Sequence, residues 1–300
     1  MTDFRGAYTA LVTPMTKTGE VEYEGFRELV RFQIVEGIDG IVPLGTTGET
    51  PTLDENEEEK LIKIAVEEAS GKIKIIVGAG SNDTRHMIKY VERAKRLGAD
   101  AALVVTPYYN KPNDDGLIRH FEAAANVGIP IIIYNIASRT GRNIPVSLMQ
   151  KIAEIPNITG VKESSGDITQ MGDIIKEIAM PRKTSAERFW VLSGDDSFNL
   201  PLSSIGGDGV ISVISNLVPA KVKALTKAAL EGKINEARAI HFELLPLMKA
   251  AFVETNPIPI KQALTWAGLP AGPARLPLGK LAPSSEALLK KTMLDMGLIK

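Results

Sequence analysis

The chain has 300 residues, with 35 lysines and arginines against 36 aspartates and glutamates, a formal charge of −1, and 44% apolar residues. That balance offers no basic face for nucleic acid or an anionic membrane, and the absence of cysteine excludes disulfides and cysteine-based zinc sites. The length suits one α/β barrel as well as two average domains; Met1–Tyr8 carries acid and no apolar stretch, so no export signal is read, and no run reaches membrane-spanning length, so a cytoplasmic protein is expected.

Eight short apolar runs follow one another: Ala7–Pro14, Gly40–Thr47, Lys74–Gly80, Ala101–Pro107, Pro130–Ile136, Ile158–Ser164, Phe189–Asp196 and Gly209–Ser215. Most are near-continuous rather than alternating, as expected of parallel strands covered on both faces. Between them lie segments with helical spacing. Phe26, Leu29, Val30, Gln33 and Ile34 make one such face, and Leu61, Ile64, Ala65 and Glu68 another. Thr52-Leu53-Asp54-Glu55 has capping-box spacing, which makes the acidic run Glu57–Glu59 a solvated first helical turn rather than a metal site. Strand and helix alternating in units of roughly thirty residues predict a (β/α)8 TIM barrel, with an open doubly wound sheet as the structural competitor. After the eighth run the pattern is helical only, over Pro219–Gly232, Lys233–Glu254, Pro257–Gly268 and Ser284–Gly297. A barrel over residues 1–232 followed by a small all-helical domain over 233–300 is therefore expected.

In such barrels the chemistry sits at the C-terminal ends of the strands. Those ends carry Gly45-Thr46-Thr47-Gly48-Glu49, Thr106-Pro107-Tyr108-Tyr109-Asn110, Tyr134-Asn135 with Ser138-Arg139-Thr140-Gly141 beyond it, Lys162, Gly194-Asp195-Asp196, and Ile211-Ser212. Alternation puts Ile158, Gly160 and Lys162 on one face of the sixth strand and Thr159, Val161 and Glu163 on the other. Each feature alone has a bland explanation: a lysine at a strand end snorkels, a tyrosine packs, an aspartate caps a turn. Gly206-Gly207-Asp208-Gly209 resembles a phosphate loop but precedes the eighth strand, so it is a turn at the bottom of the barrel. His86, His120 and His241 lack ligand spacing and are read as structural.

Together, two hydroxyls, two tyrosines, an arginine and a lysine at one mouth suit a carbonyl substrate held by an amine. A nucleophilic lysine must be neutral, and lowering an ordinary lysine from about 10.4 to near 7 takes roughly 4 kcal/mol, which a desolvated barrel interior supplies. A tyrosine can shuttle the protons of imine formation, and the backbone N–H groups of the Gly45–Glu49 turn suit a small carboxylate.

These motifs, G-T-T-G-E at 45–49, T-P-Y-Y-N-K-P at 106–112, Y-N-I-A-S-R-T-G at 134–141, V-K-E-S at 161–164, G-D-D at 194–196 and G-G-D-G-V-I-S at 206–212, resemble the dihydrodipicolinate synthase/N-acetylneuraminate lyase family of class I aldolases, across essentially the full length. The resemblance implies a lyase with no separate cofactor, its pyruvate held as an imine on Lys162. Tyr134 would be the general acid/base, with Thr46 and Tyr109 completing a proton relay in which Tyr109 crosses a tight dimer interface. Thr47, the Ile211 backbone and Gly194 would bind pyruvate, and Arg139 the carboxylate of L-aspartate 4-semialdehyde. A homotetramer built as a dimer of dimers, serving lysine and diaminopimelate biosynthesis, goes with that reading. Three features depart from the family. Ala137 replaces a common proline, the Pro181–Arg188 connection is long, and His86 stands where lysine-sensitive members carry an acid, with Glu55 where they may carry histidine; Asn82 and Tyr108 do match the inhibitor site. Weak or absent lysine inhibition is expected. The alternatives are a sister aldolase acting on 2-keto-3-deoxy sugar acids or 4-hydroxy-2-oxoglutarate, a silent keto-acid-binding paralogue, and a phosphate-binding barrel isomerase, which lacks its phosphate loop here.

Overall fold

The computed structural model describes residues 2–182, 184 and 188–300. Parallel strands β1 (Gly6–Ala10), β2 (Gly40–Val42), β3 (Lys74–Gly78), β4 (Ala101–Val105), β5 (Ile131–Asn135), β6 (Ile158–Glu163), β7 (Trp190–Ser193) and β8 (Gly209–Ser212) form a closed barrel in chain order. Closure is direct: Tyr8 of β1 pairs in register with Gly40 of β2 on one side and Ile211 of β8 on the other. Helices α1 (Tyr23–Val35), α2 (Glu55–Ala69), α3 (Thr84–Arg96), α4 (Asp114–Ala125), the single turn α5 (Ala137–Thr140), α6 (Val146–Ala153), α7 (Ile168–Ile174), α8 (Asn199–Ser204) and α9 (Pro219–Leu230) surround it. Three more follow, α10 (Ile234–Ala250), α11 (Ile258–Trp266) and α12 (Pro283–Asp295). The strands are shorter than the apolar runs because the last residues of each run leave the ladder to build the mouth.

The barrel interior is filled by Tyr8, Ala10, Val42, Ile76, Leu103, Ile132, Tyr134, Trp190, Leu192 and Ile211. Outward-facing strand residues pack against the helices, and the shell beside α1, α2 and α9 runs without a break into α10, α11 and α12. Burying a typical Leu or Ile there contributes roughly 1.5–3 kcal/mol. On α1 the apolar face includes Gln33, fully buried because its amide donates to the Ser215 carbonyl (3.0 Å) while its Oε1 accepts the Thr9 hydroxyl (2.6 Å).

Several local expectations are corrected. Ile158 does not share the Lys162 face; it packs in the outer shell with Val161, because the register with β5 shifts between Ile131 and Ile132 and interrupts the alternation. The capping box at α2 is Asp54 with Glu57, two residues later than expected: Asp54 takes the extended N-cap conformation, while the Thr52 hydroxyl is already donated to the Glu49 carbonyl. The acidic run is not simply solvated, since Glu57 pairs with Arg275 and Glu58 is buried against Arg93. The Pro181–Arg188 connection lies partly outside the described residues. Among the described residues, no helix is long and apolar enough to cross a membrane.

Two buried groups set an acid-range prediction. Asp196, fully buried, accepts from the Ser212 hydroxyl (2.5 Å) and the Val213 and Ile214 backbone N–H groups (2.9 and 3.2 Å), yet burial pushes its pKa from 3.8 up to about 6. An acid raised on folding is most favourable below the unfolded value, so its contribution falls as pH rises from about 4 to about 6, by on the order of 3 kcal/mol. His120, buried beside the Thr84 hydroxyl, is pushed from 6.5 down to about 4 by burial, and its contribution is lost as pH falls through the same window. The two oppose each other in the native protein. Urea unfolding of the native protein and of Asp196→Asn at pH 4.5 and 6.5 separates them. The difference between the two proteins changes with pH in the direction given if Asp196 behaves so; parallel pH profiles would exclude it.

Candidate active site

The site grows from the tips of β5 and β6. Tyr134 and Lys162 are register partners on these neighbouring strands and both point into the barrel, with Lys162 only 6% exposed. The Lys162 Nζ lies 4.1 Å from the centroid of the Tyr134 ring. Two buried lysines occur among the described residues: Lys261 is ion-paired with Glu49, whereas Lys162 rests on the tyrosine face. Gly194, beyond β7, is what gives Lys162 its room, since a Cβ there would lie 2.9 Å from the lysine Cε and 1.8 Å from Ser164 Oγ.

The next residues on each strand point outward and brace the pair from behind. Asn135, fully buried, donates to Asn143 Oδ1 (2.8 Å) and Glu163 Oε2 (3.0 Å) and accepts from the Ile144 backbone (3.1 Å); the Ser165 backbone donates to Glu163 Oε1 (2.7 Å). Burial raises the Glu163 pKa, and these donors act against that rise. The sequence reading placed Asn135 at a strand end and Glu163 on the face opposite Lys162 but gave neither a role.

Thr46 and Thr47 stand in a 3₁₀ turn, Thr46–Gly48, after β2. The bends that make this turn are not at its glycines but at Leu44 (φ 58°) and Glu49 (φ 60°), both left-handed. Glu49 is held there by the Lys261 ammonium on one oxygen (2.6 Å) and the Arg275 backbone N–H on the other (2.7 Å). Thr47 is buried, and its hydroxyl accepts from Asn256 Nδ2 (2.9 Å).

A cavity of about 470 Å³ opens at this mouth, lined by Thr46, Leu103, Tyr134, Ile136 and Arg139 and, along an arm toward α2 and α3, by Asn82, His86 and Tyr90. Thr46, Tyr134 and Arg139 are thus brought together; Lys162 does not line the cavity, and its amine lies against the Tyr134 ring that does. Thr47, Gly194 and Ile211 do not line this cavity: Gly194 packs on Lys162 and Ile211 is fully buried in the barrel interior. Tyr109 does not line it either; it is 91% exposed, with a left-handed backbone (φ 70°), while Tyr108 does. Arg139 sits on the one-turn α5, exposed, with its Nη2 donating to the Asn256 carbonyl (3.3 Å). His86 lines the arm, stacked near Tyr90, rather than the packed core. Gly206–Gly209 turns into β8 at the bottom of the barrel, as expected.

Asn256 and Lys261 belong to the C-terminal segment, and the sequence reading assigned them no role. One signal was present: Lys261 interrupts the apolar side of a helix otherwise made by Ile260, Ala263 and Leu264. Among the described residues, no group of three or more His, Cys, Asp or Glu could hold a metal ion.

This arrangement can form an imine: an amine sheltered from water, an adjacent phenol for proton transfer, and hydroxyl and guanidinium groups for carboxylates. The comparisons with known proteins agree. The profile of the dihydrodipicolinate synthetase family matches residues 3–295. A 4-hydroxy-tetrahydrodipicolinate synthase of Protochlamydia amoebophila (strain UWE25) is 49% identical over 293 residues, 97% of this chain and 96% of the relative. The crystal structure of dihydrodipicolinate synthase from Aquifex aeolicus superposes with a TM-score of 0.93 at 45% identity, covering 98% and 99% of the two chains. The chloride-inhibited dihydrodipicolinate synthase from Acinetobacter baumannii, complexed with pyruvate, superposes at 0.94 with 38% identity over 99% and 100%. The chain belongs to the dihydrodipicolinate synthetase family.

Proposed function

We propose that the protein condenses pyruvate with L-aspartate 4-semialdehyde through a Schiff base on Lys162, as a 4-hydroxy-tetrahydrodipicolinate synthase of lysine and diaminopimelate biosynthesis. The observation that carries this reading is the buried Lys162 amine lying against the ring of Tyr134, which itself lines the cavity. The neutral amine adds to the pyruvate carbonyl; Tyr134 protonates the departing hydroxyl, which leaves as water, and the imine forms. Loss of a methyl proton gives the enamine, whose carbon attacks the aldehyde. The amino group of the condensed product then displaces Lys162 as the ring closes, so the enzyme is regenerated without a cofactor.

In this reading Thr46 and Tyr109 relay protons with Tyr134, and the exposure of Tyr109 fits a role in the site of a second copy. Thr47, the Ile211 backbone and Gly194 serve the pyruvate half, and Arg139 the carboxylate of the aldehyde. A dimer of dimers and a cytoplasmic setting accompany the proposal. So does a division at the turn Gly232–Lys233 between α9 and α10. The testing experiment is turnover of pyruvate with L-aspartate 4-semialdehyde, coupled to a dihydrodipicolinate reductase and followed by nicotinamide oxidation. Turnover is expected. No turnover, with pyruvate still trapped by borohydride, would transfer the same chemistry to a sugar-acid substrate.

A further inference from the structure

We propose that Asn256 is a positioning residue: it turns the Thr47 hydroxyl proton toward the pyruvate carboxylate and ties that clamp to Arg139. The inference rests on the reading of Thr47 and Arg139 as the two carboxylate holders, and it adds a residue from outside the barrel to them. Three observations converge on it. The Asn256 side-chain N–H donates to Thr47 Oγ1 (2.9 Å), its backbone carbonyl accepts from Arg139 Nη2 (3.3 Å), and the residue is only 6% exposed. Asn256 therefore holds one carboxylate holder with its side chain and the other with its backbone.

The chemistry follows from the hydroxyl's dual character. A threonine hydroxyl offers one proton and two lone pairs. Occupying a lone pair with the asparagine N–H leaves the proton free to donate, which is what a bound carboxylate requires. The position of Asn256 is itself fixed. Two residues beyond it α11 begins, and Lys261 of that helix is locked to Glu49, two residues beyond Thr47. The turn after β2 and the segment before α11 are thus pinned together at two points. The Asn256 Oδ1, buried with no protein partner, leaves the amide's other end unengaged.

The test ranks variants. A purely structural role predicts that Asn256→Asp, which keeps size and shape, is milder than Asn256→Ala. Proton direction predicts the reverse, because a carboxylate can only accept: it draws the Thr47 proton to itself and sets a negative charge beside the substrate's. We expect the KM for pyruvate to rise about tenfold in Asn256→Ala, and on the order of a hundredfold in Asn256→Asp, with kcat at saturating pyruvate nearly retained. The KM for the aldehyde moves less, since the Arg139 partner is a backbone carbonyl that no side-chain substitution removes. In a Thr47→Val background the Asn256→Ala change has no further effect on pyruvate KM, as required if it acts through Thr47. Borohydride trapping of pyruvate on the unaltered protein separates the layers. If nothing is trapped, the imine reading fails and takes this inference with it. If pyruvate is trapped but Asp is milder than Ala, or both leave KM unchanged, the positioning role alone is overturned.

Discussion

Replacing Lys162 with methionine is expected to lower turnover by at least about 10⁴-fold, with no borohydride-fixed pyruvate and no loss of folding. Methionine keeps the unbranched stem that packs between the Tyr134 ring and the space left by Gly194, so the barrel interior is not emptied. The other buried lysine cannot substitute, because its ammonium is committed to Glu49 and two backbone carbonyls. The measurement pairs the coupled assay with mass spectrometry after borohydride and a denaturation midpoint. A variant with a native midpoint that still turns over at more than a few per cent of the parent rate would remove Lys162 from the mechanism. A Gly194→Ala variant makes the complementary case: the added methyl meets Ser164 Oγ and Lys162 Cε, so imine formation slows while the amine is still present.

The second large effect concerns stability. Lys261 and Glu49 are 1% and 3% exposed, and all three ammonium protons are used: on Glu49 Oε1 (2.6 Å), on the Thr13 carbonyl (3.0 Å) and on the Pro273 carbonyl (2.8 Å). Burial lowers the Lys261 pKa, and the Glu49 charge opposes the drop. Lys261→Ala strands a buried carboxylate and is expected to destabilise by about 3–5 kcal/mol. The double change Lys261→Met with Glu49→Leu removes both charges and is expected to recover most of that loss. Activity is not expected to return with stability, because the left-handed bend at Glu49 that shapes the Thr46–Thr47 turn has lost its partner. Urea midpoints and kcat/KM for the three proteins decide this. An unchanged midpoint in Lys261→Ala would show that the pair is not needed.

These two sites also show what the sequence made legible. Lys162 and Tyr134 were readable as candidates because the order of the strands puts both at the ends of neighbouring ones, and their roles came with the family resemblance. The barrel itself followed from repetition. The clasp and the Asn256 contact were not readable, because their partners lie 212 and 209 residues away and neither end carries a local pattern. Glu49 looked like the last letter of a glycine-rich turn, and only burial against a distant helix makes it an ion-pair partner. Smaller misses had local causes. One register shift moved Ile158 to the other face, and an extended Asp54 shifted the cap of α2 by two residues. Tyr109 is a different case. The resemblance assigned it to the site of a second copy, and in its own chain it is exposed and lines no part of the cavity.

The clasp has a consequence for how the protein matures on the ribosome. Domains form from the N-terminus as synthesis proceeds at about 5–20 residues per second. Every strand of the barrel is made by Ser212, yet the segment that pins the turn after β2 is not made until Asn256 through Arg275. A nascent chain arrested after α9 therefore holds Lys162 and Tyr134 but has nothing to secure Thr47 or Glu49. Those contacts arrive only with the last quarter of translation, and a truncated product carries Lys162 without the residues that fix Thr47 and Glu49.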